Sequence, residues 1–298
     1  MKTAAQEFAQ RNRGTIFVED GEVVTVEPFA GEQFVMRLRA PLCARAAQPG
    51  HFIHLHCDPS RLMRRPMSIM RVEEDCIEIL YKVVGDGLRL LSRKVPGDVI
   101  NLLGPIGTPF VPRPERPHVL LIGGGVGIPP MVFVADWLRR QQGAWQALAI
   151  LGSEIPFPFA AVPSRLETPW LAPDIHSAMP LLERWGIPSR LASKAGFEGC
   201  FDGFVTDLAE QWLVTLSGDE LARTEVFACG PTPMLRAVAN LAARYELPCQ
   251  VSLEEYMACA VGGCAGCTVK IETPDGPAMK RVCVDGPVFD AATVAWDG

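Results

Sequence analysis

The sequence predicts a multi-domain β + α/β protein, in which an antiparallel β-barrel precedes a parallel α/β domain and a small cysteine-containing module. Three observations predict this fold class. Short alternating strands with turn residues between them fill the first third of the chain, apolar strands alternate with helical patterns in the middle, and four closely spaced cysteines follow. We place the three domains at residues 14–111, 117–248 and 249–298.

The composition is that of a globular protein and argues against several function classes. Hydrophobic residues make up 48% and charged residues 21% of the 298 residues, which is ordinary for a soluble chain of two or three domains. The net charge of −6 argues against a broad electrostatic attraction to nucleic acid. Ten cysteines are too few for a disulfide scaffold in a chain of this length, so we expect a reducing, cytoplasmic compartment.

The chain shows no pattern typical of secretion or of a membrane span. Its polar N-terminal residues, 1–14, lack the apolar region of a signal peptide. The longest apolar stretch, residues 119–138, is interrupted by glycines and prolines near its centre, which a membrane helix tolerates only with partners for its backbone. We therefore expect no association with a membrane.

The barrel is predicted from five short strands and one helix, Gly87–Lys94. Turn residues separate the strands, which are Gly21–Val26, Gln33–Leu38, His51–His56, Met67–Val72 and Cys76–Val83. Gly104-Pro105-Ile106-Gly107 has the composition of a turn. His54 and His56 share one face of a strand, so we interpret them as barrel residues rather than metal ligands.

The α/β domain is predicted because four apolar strands alternate with helices beyond the proline-rich residues 112–117. The strands are His118–Ile122, Ala147–Leu151, Ser189–Leu191 and Val226–Ala228, and the helices are Pro130–Gln141, Val205–Leu213 and Pro233–Glu246. Residues 156–173 are rich in proline and are expected to form an irregular loop. Little regular structure is expected from residue 250 until a strand at Thr268–Glu272, which a turn at Pro274-Asp275-Gly276 follows.

Four cysteines in the last module have the spacing of metal ligands. Cys259, Cys264 and Cys267 form a C-x4-C-x2-C pattern, and Cys283 lies further on, as in plant-type 2Fe-2S sites. The residues between the first three are small or glycine, which lets the backbone approach an inorganic core and point amides at sulfur. Zinc is the alternative, although zinc ribbons normally pair two closely spaced cysteine knuckles. We predict that these cysteines hold a 2Fe-2S cluster.

Two motifs in the α/β domain lie where nucleotides bind, at the carboxyl ends of parallel strands. The first is a glycine run between a strand and a helix, whose amides can hold a pyrophosphate: Gly123, Gly124, Gly125 and Gly127. The second follows a later strand: Cys229, Gly230 and Pro231. The structural alternatives are a tight glycine turn without a ligand and a buried, apolar Cys229.

A carboxylate indicates which nucleotide binds. Glu154 follows the second strand of the sheet, where it can accept the ribose hydroxyls of NAD and would repel the additional phosphate of NADP. A loop glutamate is otherwise simply solvated. We predict NAD.

The barrel carries a possible phosphate site of its own. Arg65-Pro66-Met67-Ser68 places a guanidinium and a hydroxyl at the start of a strand, and arginine suits a bidentate contact with phosphate. Residues 84–87, Val-Gly-Asp-Gly, can present backbone amides to a second phosphate. A surface arginine and a turn serine are the alternative.

Together these motifs resemble the ferredoxin-NADP reductase superfamily, and within it the electron-transfer subunits of NAD-dependent dihydroorotate dehydrogenase. The resemblance covers nearly the whole chain. The two most specific runs are SLEEYMACAVGGCAGC (252–267) and RVCVDGPVF (281–289). The others are RRPMSI (64–69), YKVVGDGLRLLS (81–92), LLGPIG (102–107), GGGVGIPPM (123–131) and ACGPTPML (228–235).

The resemblance implies that the barrel holds FAD, with Arg65, Met67, Ser68, Gly85, Gly87 and Leu88 as its neighbours. Leu88 stands where the family usually has threonine or serine, so only its backbone amide could serve, and Met67 stands where the superfamily often has an aromatic residue. The partner implied is a catalytic FMN-containing dihydroorotate dehydrogenase subunit, in a heterotetramer of pyrimidine biosynthesis. Electrons from that partner would pass through the 2Fe-2S cluster to FAD and then, as a hydride, to NAD.

Two other functions remain open on the sequence alone. One is an FAD/2Fe-2S subunit of another NAD(P)H oxidoreductase complex, of the ferredoxin:NADP oxidoreductase, sulfide dehydrogenase or hydrogenase type. The first of these typically has an aspartate in place of one cysteine ligand, whereas all four positions here are cysteine. The other is a colourless, zinc-stabilised nucleotide-binding regulator. No arrangement of serine, histidine and aspartate and no pair of carboxylates indicates hydrolysis.

Overall fold

The computed structural model describes residues 14–143 and 145–296. The N-terminal residues considered for a signal peptide lie almost entirely outside this part. The described residues form a closed six-stranded barrel, a six-stranded sheet with helices, and two two-stranded ribbons. The predicted fold class is confirmed. No helix within residues 14–143 and 145–296 is both long and apolar enough to cross a membrane.

The barrel has the strand order β1-β2-β5-β4-β3-β6, and each neighbouring pair is antiparallel. Its strands are β1 (Phe17–Phe29), β2 (Gln33–Arg39), β3 (Phe52–Leu55), β4 (Arg65–Glu73), β5 (Cys76–Lys82) and β6 (Val99–Ile106), and its helices are α1 (Pro41–Ala46) and α2 (Gly85–Leu91). Inward side chains such as Met36, Ile53, Ile79 and Leu102 are fully buried and fill the interior. Five of these strands were predicted.

The sixth strand, β6, was not predicted, and the expected turn at residues 104–107 is wrong. β6 pairs with both β1 and β3 and closes the barrel. The register with β3 shifts between Phe52 and His54, so β6 has an additional residue there, and Pro105 lies in this bulge. Proline, which cannot donate to the ladder, is tolerated at such a bulge. The glycine and proline therefore indicated an irregular strand, not a turn.

The second domain is a mixed sheet with the strand order β11-β8-β7-β12-β13-β16, in which the first five are parallel and β16 is antiparallel. The strands are β7 (His118–Gly124), β8 (Gln146–Gly152), β11 (Ser189–Ala192), β12 (Thr224–Cys229), β13 (Cys249–Ser252) and β16 (Val288–Asp290). The helices are α3 (Ile128–Arg140), α4 (Pro180–Arg184), α5 (Val205–Leu213), α6 (Gly218–Ala222) and α7 (Thr232–Arg244). The four predicted strands and three predicted helices are all present, with ends moved by at most two residues.

The irregular stretch 156–173 has one short strand, β9 (Val162–Pro163), which pairs with β10 (Ser177–Ala178). The rest of the stretch has no regular structure, as predicted. The helix predicted at Gly87–Lys94 in the barrel is α2, which begins two residues earlier and ends three residues earlier.

The strand order reverses between β7 and β12. Five parallel strands numbered in chain order are arranged 3-2-1-4-5, and ligands of such sheets bind at the carboxyl ends of the strands where the order reverses. The predicted glycine run follows β7, and Cys229-Gly230-Pro231 ends and follows β12. The two predicted nucleotide motifs therefore lie side by side at this point.

The cysteine module lies between two strands of the sheet. An irregular loop precedes the hairpin of β14 (Thr268–Thr273) and β15 (Gly276–Arg281), whose turn is at Pro274-Asp275 as predicted. The expectation of little regular structure before Thr268 is wrong for Cys249–Ser252, because this segment is the fifth parallel strand. Its four residues are too few for a visible pattern in a strand buried on both faces. The three-domain division itself stays a prediction, since β13 and β16 belong to the sheet.

Helix α3 joins the barrel to the sheet. It packs on β4 of the barrel and on β7 of the sheet, and most of its residues are buried. Arg140 donates to the carbonyl of Val72 in β4 at 3.1 Å. Asp136, 1% exposed, pairs with Arg139 and Arg140. This packing holds the barrel strand with the Arg-Pro-Met-Ser motif next to the nucleotide edge of the sheet.

Candidate functional site

The four predicted cysteines lie together as two pairs. Cys259 Sγ accepts the amide of Cys264 at 3.4 Å, and the thiols of these two residues are hydrogen-bonded. The thiols of Cys267 and Cys283 are also hydrogen-bonded. Val282 donates to the carbonyl of Cys267 at 2.8 Å, which joins the loop to the chain that carries Cys283.

The two pairs differ in exposure. Cys264 is exposed and Cys259 half-buried, whereas Cys267 and Cys283 are 2% and 1% exposed. The buried pair belongs to the same core as Val251 of β13 and Leu235 of α7. One side of the site therefore faces solvent, where a partner protein can approach, and the other faces the sheet.

Backbone amides surround the sulfur of Cys259, the half-buried member of the outer pair. Burial alone would raise the pKa of Cys259, but hydrogen bonds from the amides of Val261, Cys264 and Gly263 lower it to about 7. Burial and the thiol of Cys267 raise the pKa of Cys283 to about 12. Four neighbouring thiolates need compensating positive charge, which coordinated metal ions supply.

The donor set fits a 2Fe-2S cluster. Each iron of such a cluster takes two cysteine thiolates, and the sulfurs here are grouped two and two. A structural zinc site needs four donors around one ion. The grouping of the sulfurs into two pairs matches the two irons of a 2Fe-2S cluster.

The loop between the cysteines needs its small residues. Ala260, Gly262 and Ala265 have φ of 56°, 79° and 53°, in the left-handed region that most side chains disfavour. A Cβ on Gly262 would lie 3.0 Å from Val284 Cγ2. The left-handed turns bend the chain tightly enough to aim three amides of this loop at the Cys259 sulfur.

In the barrel, Arg65 lies against the first turn of α2. A Cβ added to Gly87 would come within 3.5 Å of the Arg65 guanidinium, and Gly85 has φ of 74° with nothing near its Cβ position. Arg65 Nη1 donates to the carbonyls of Met63 and Arg64 at 3.1 Å. The guanidinium thus lies at the N-terminus of α2, where no side chain caps the helix and the first backbone amides have no partner within the helix, as suits a phosphate site.

The other barrel residues of the predicted site differ in which of their atoms can contact a ligand. Met67 and Leu88 are 8% and 5% exposed and pack in the barrel core, so only their backbone can contact a ligand outside it. Ser68 is half-buried, and its hydroxyl makes no hydrogen bond to another described residue.

Pro66 lies opposite His54 in the ladder. His54 is 1% exposed and lies in β3, as interpreted, whereas His56 lies one residue beyond the end of β3 and bonds the Arg61 carbonyl.

The glycine run lets the end of β7 and the turn after it pack closely against the end of β12 and against α7. A Cβ on Gly127 would lie 2.2 Å from the Cys229 carbonyl oxygen, and one on Gly124 would lie 2.4 Å from Met234 Sδ. Gly123 is similarly enclosed. Gly125 differs, because its φ is 56° and no atom lies within 4 Å of its Cβ position. Packing therefore accounts for three of the glycines, and Gly125 is the one that faces open space at the edge.

Comparison with known proteins gives the family. The model of the iron-sulfur cluster binding domain of dihydroorotate dehydrogenase B matches residues 254–295. The dihydroorotate dehydrogenase B (NAD(+)) electron transfer subunit of Caldanaerobacter subterraneus subsp. tengcongensis is 32% identical over 247 residues, which are 83% of this chain and 86% of that protein. This chain belongs to that family of electron transfer subunits. The family predicted from the motifs is confirmed.

Other members and a solved structure agree. The electron transfer subunit of Geobacillus thermodenitrificans is 34% identical over 91% of this chain and 96% of its own length. A chain of the NADH-dependent reduced ferredoxin-NADP oxidoreductase structure has a TM-score of 0.74 and 26% identity, and the match covers 93% of this chain and 90% of that chain. A ferredoxin reductase of carbazole 1,9a-dioxygenase, 21% identical with a TM-score of 0.60, shares the fold.

In this electron transfer subunit, two residues that were not predicted as site residues, Ser252 and Glu254, border the nucleotide edge. Cys229 is fully buried, and burial raises the pKa of its thiol well above the usual range, although Ser252 is hydrogen-bonded to it. Glu254 lies near this thiol, and desolvation by the surrounding protein raises the pKa of its carboxyl although the residue is exposed overall. Gly230 is buried and Pro231 exposed. Ser252 ends β13 and Glu254 lies two residues beyond it, so their position would have revealed them, had that strand been predicted.

The edge beside β8 carries charges of both signs. Glu154 is exposed beyond the end of β8. Ser153 donates to the carbonyl of Ala192, the last residue of β11, so the two strand ends are adjacent. Lys194 follows β11, and its ammonium lies 4.7 Å from the centroid of the Phe204 ring. The sequence analysis predicted Glu154 as a site residue but not Lys194, because no recognisable motif surrounds this single loop lysine.

Proposed function

We propose that this chain is the electron-transfer subunit that carries electrons from a catalytic FMN-containing dihydroorotate dehydrogenase subunit to NAD, in a cytoplasmic heterotetramer. The observation that carries this proposal is the grouping of four cysteines into two contacting pairs, one exposed and one buried against the nucleotide-binding sheet. An exposed pair allows electrons to enter from a partner, and a buried pair lies toward the body of the protein.

Different groups of residues would bind the cluster and the flavin. Cys259, Cys264, Cys267 and Cys283 would ligate the two irons of the 2Fe-2S cluster. Arg65 and the amides of Gly85 and Gly87 would hold the flavin phosphates. When bound, the cluster supplies one-electron transfer and the FAD supplies the exchange between one-electron and two-electron carriers. The chain itself positions these groups and excludes water from the buried side of the site.

The nucleotide would lie across the point where the strand order reverses. Gly125 presents an open backbone at the end of β7, and its amide and those that follow would contact the pyrophosphate. Glu154 would accept the ribose hydroxyls. Gly123, Gly124, Gly127 and the Cys229-Gly230-Pro231 segment would shape the floor of this site through their close packing.

Replacing Arg65 with leucine is expected to weaken FAD binding about ten- to hundredfold, because a charge-assisted hydrogen bond contributes roughly 1.5–3 kcal/mol. Titration of the flavin-free chain with FAD, followed by flavin fluorescence, measures the effect. Arg89→Leu is the matched control, since Arg89 is an exposed arginine of α2, the helix whose first turn lies against Arg65. Equal affinities of the two variants would contradict the role given to Arg65.

Replacing Glu154 with arginine is expected to lower kcat/KM with NADH and raise it with NADPH, because arginine attracts the additional phosphate that glutamate repels. The ratio of the two kcat/KM values, measured with an artificial electron acceptor, is the readout. Glu167→Arg makes the same charge change in the irregular stretch and should leave the ratio unaltered. If Glu154→Arg leaves it unaltered as well, the carboxylate is merely solvated.

The proposed function is tested with the anaerobically purified chain and its partner. We expect iron, sulfide and FAD in the purified chain, with the visible absorption bands of both. Mixed with the FMN-containing subunit, it should support reduction of NAD by dihydroorotate, and each subunit alone should not. A colourless chain that contains zinc would overturn the proposal.

A second candidate function is supported by the similarity to the NADH-dependent reduced ferredoxin-NADP oxidoreductase chain. In that case the same cofactors would serve a partner other than a dihydroorotate-oxidising subunit. Co-purification of the tagged chain from its native source distinguishes the two. Recovery of a flavoprotein without dihydroorotate dehydrogenase activity would favour this second function.

A further inference from the structure

An arginine behind the cysteine loop holds one particular peptide of that loop. Arg281 Nη1 donates to the carbonyl oxygen of Gly262 at 3.1 Å. The backbone amide and the Nε of Arg281 both donate to Asp285 Oδ2, at 2.8 Å and 3.2 Å. Arg281 ends β15, two residues before Cys283. The guanidinium therefore spans from its anchor at Asp285 to the loop between Cys259 and Cys264.

The peptide that Arg281 holds is the one whose amide faces a sulfur. The carbonyl of Gly262 and the N–H of Gly263 belong to a single planar unit, and in a trans peptide they point in opposite directions. The Gly263 amide faces the thiol of Cys259. When Arg281 fixes the carbonyl on one side, the amide on the other side is aimed at the Cys259 sulfur.

Glycine makes this peptide easy to turn, so it needs an external hold. Gly262 has φ of 79°, and Gly263 is exposed with nothing near its Cβ position. Two successive glycines have few steric limits on rotation of the peptide between them. The hydrogen bond from Arg281 is the contact described for the carbonyl side of this peptide, and it has the right direction to stop that rotation.

The contact depends on the shape of arginine as well as on its charge. The guanidinium uses Nε for Asp285 and Nη1 for Gly262 at the same time, which the single ammonium of lysine cannot reproduce. Asp285, with a side chain 18% exposed, offsets the positive charge of Arg281. The consequence for the loop is therefore mainly geometric.

We propose that Arg281, anchored by Asp285, is a positioning residue that aims the Gly263 amide at the Cys259 sulfur and thereby sets the reduction potential of the cluster. This inference rests on the proposed function, because it takes Cys259 as a cluster ligand. Hydrogen bonds to the sulfurs stabilise the more negative, reduced cluster. Loss of the bond from Gly263 therefore lowers the reduction potential.

The test is a reductive titration of the cluster in the full, FAD-loaded chain, followed by the electron paramagnetic resonance signal of the reduced form. Arg281→Lys and Arg281→Gln are both expected to shift the midpoint potential to lower values and to change the shape of the signal. Lys280→Gln removes a neighbouring positive charge without touching the loop, and it should leave both unchanged. A midpoint potential of Arg281→Lys equal to that of the wild type overturns the proposal.

The failure of this inference is distinguishable from failure of the proposed function. A wild-type chain without iron and sulfide refutes the function itself, whereas a loaded wild type with unaltered variants refutes the role of Arg281 alone. If neither Arg281 variant assembles a cluster, Asp285→Asn decides, because it removes the charge that anchors Arg281 and leaves the arginine in place. It should shift the midpoint potential in the same direction by a smaller amount, and an unchanged potential counts against the proposal.

Discussion

A Cys264→Ser variant is expected to lose most of its iron and acid-labile sulfide, and with them the transfer of electrons from the partner to NAD. Serine is a poor ligand for iron in such clusters, because its hydroxyl is harder and far less acidic than a thiol. Cys264 is exposed, so the substitution does not disturb the core, unlike one at the buried Cys267. Iron and sulfide per chain, together with the visible spectrum of the anaerobically purified protein, measure the effect.

The matched control for this variant is Cys200→Ser. Cys200 is half-buried in the α/β domain and lies near Ser177, away from the cysteine module. Its substitution should leave the iron content and the spectrum unchanged. If the iron content of Cys264→Ser equals that of the wild type, Cys264 is not a cluster ligand. The assignment of the four cysteines to two ligand pairs would then be wrong as well.

A Gly127→Ala variant is expected to lower the free energy of unfolding by about 3 kcal/mol, at the upper end of the range for overpacked sites. The added Cβ would lie 2.2 Å from the carbonyl oxygen of Cys229 and 2.5 Å from the amide nitrogen of Gly230. Both are backbone atoms of β12 or its end, so they cannot move aside as a side chain tip would. The turn Gly125–Gly127 that follows β7 must move away from the end of β12, which also displaces the floor of the nucleotide site.

Denaturant unfolding of the FAD-loaded chain and a titration with NADH measure both consequences. Gly218→Ala is the control, because no atom lies within 4 Å of its Cβ position and alanine suits a helix better than glycine. That variant should keep its affinity for NADH and gain about 0.5 kcal/mol in stability. A Gly127→Ala variant with wild-type stability would show that a Cβ fits between this turn and the end of β12, contrary to the packing described.

Much of the fold was predictable because patterns within short segments of the sequence indicate the individual strands and helices. Along the barrel strands the less exposed and more exposed residues tend to alternate, as they do in β1 from Phe17 to Val23, and helix α5 has both of its predicted ends. Two strands escaped prediction for different reasons. β6 contains Gly104 and Pro105, which locally favour a turn and are tolerated only because a bulge opposite β3 accommodates them. β13 is four residues long and buried, so it has no alternation to recognise.

The candidate site likewise contains residues that local motifs predicted and residues that only the tertiary structure identified. The cysteine spacing predicted the cluster ligands, and the Arg-Pro-Met-Ser run predicted a phosphate contact. The roles of Ser252, Glu254, Lys194 and Arg281 depend on residues distant in the chain, so no local spacing indicated them. Gly127 was assigned to the pyrophosphate, but its enclosure by Cys229 became visible only with the neighbouring strand in place.

By itself, the order of residues determined the chemistry that this chain supports: soft thiolates at the spacing of a two-iron site, an arginine suited to phosphate, and glycines at a strand end. These properties reside in single side chains and short runs, and they do not depend on the rest of the molecule. The tertiary structure alone decided which sulfurs pair, which glycines face open space and which peptide Arg281 holds. Those are distances between segments far apart in the chain, and packing sets them only when the barrel, sheet and loop have closed around one another.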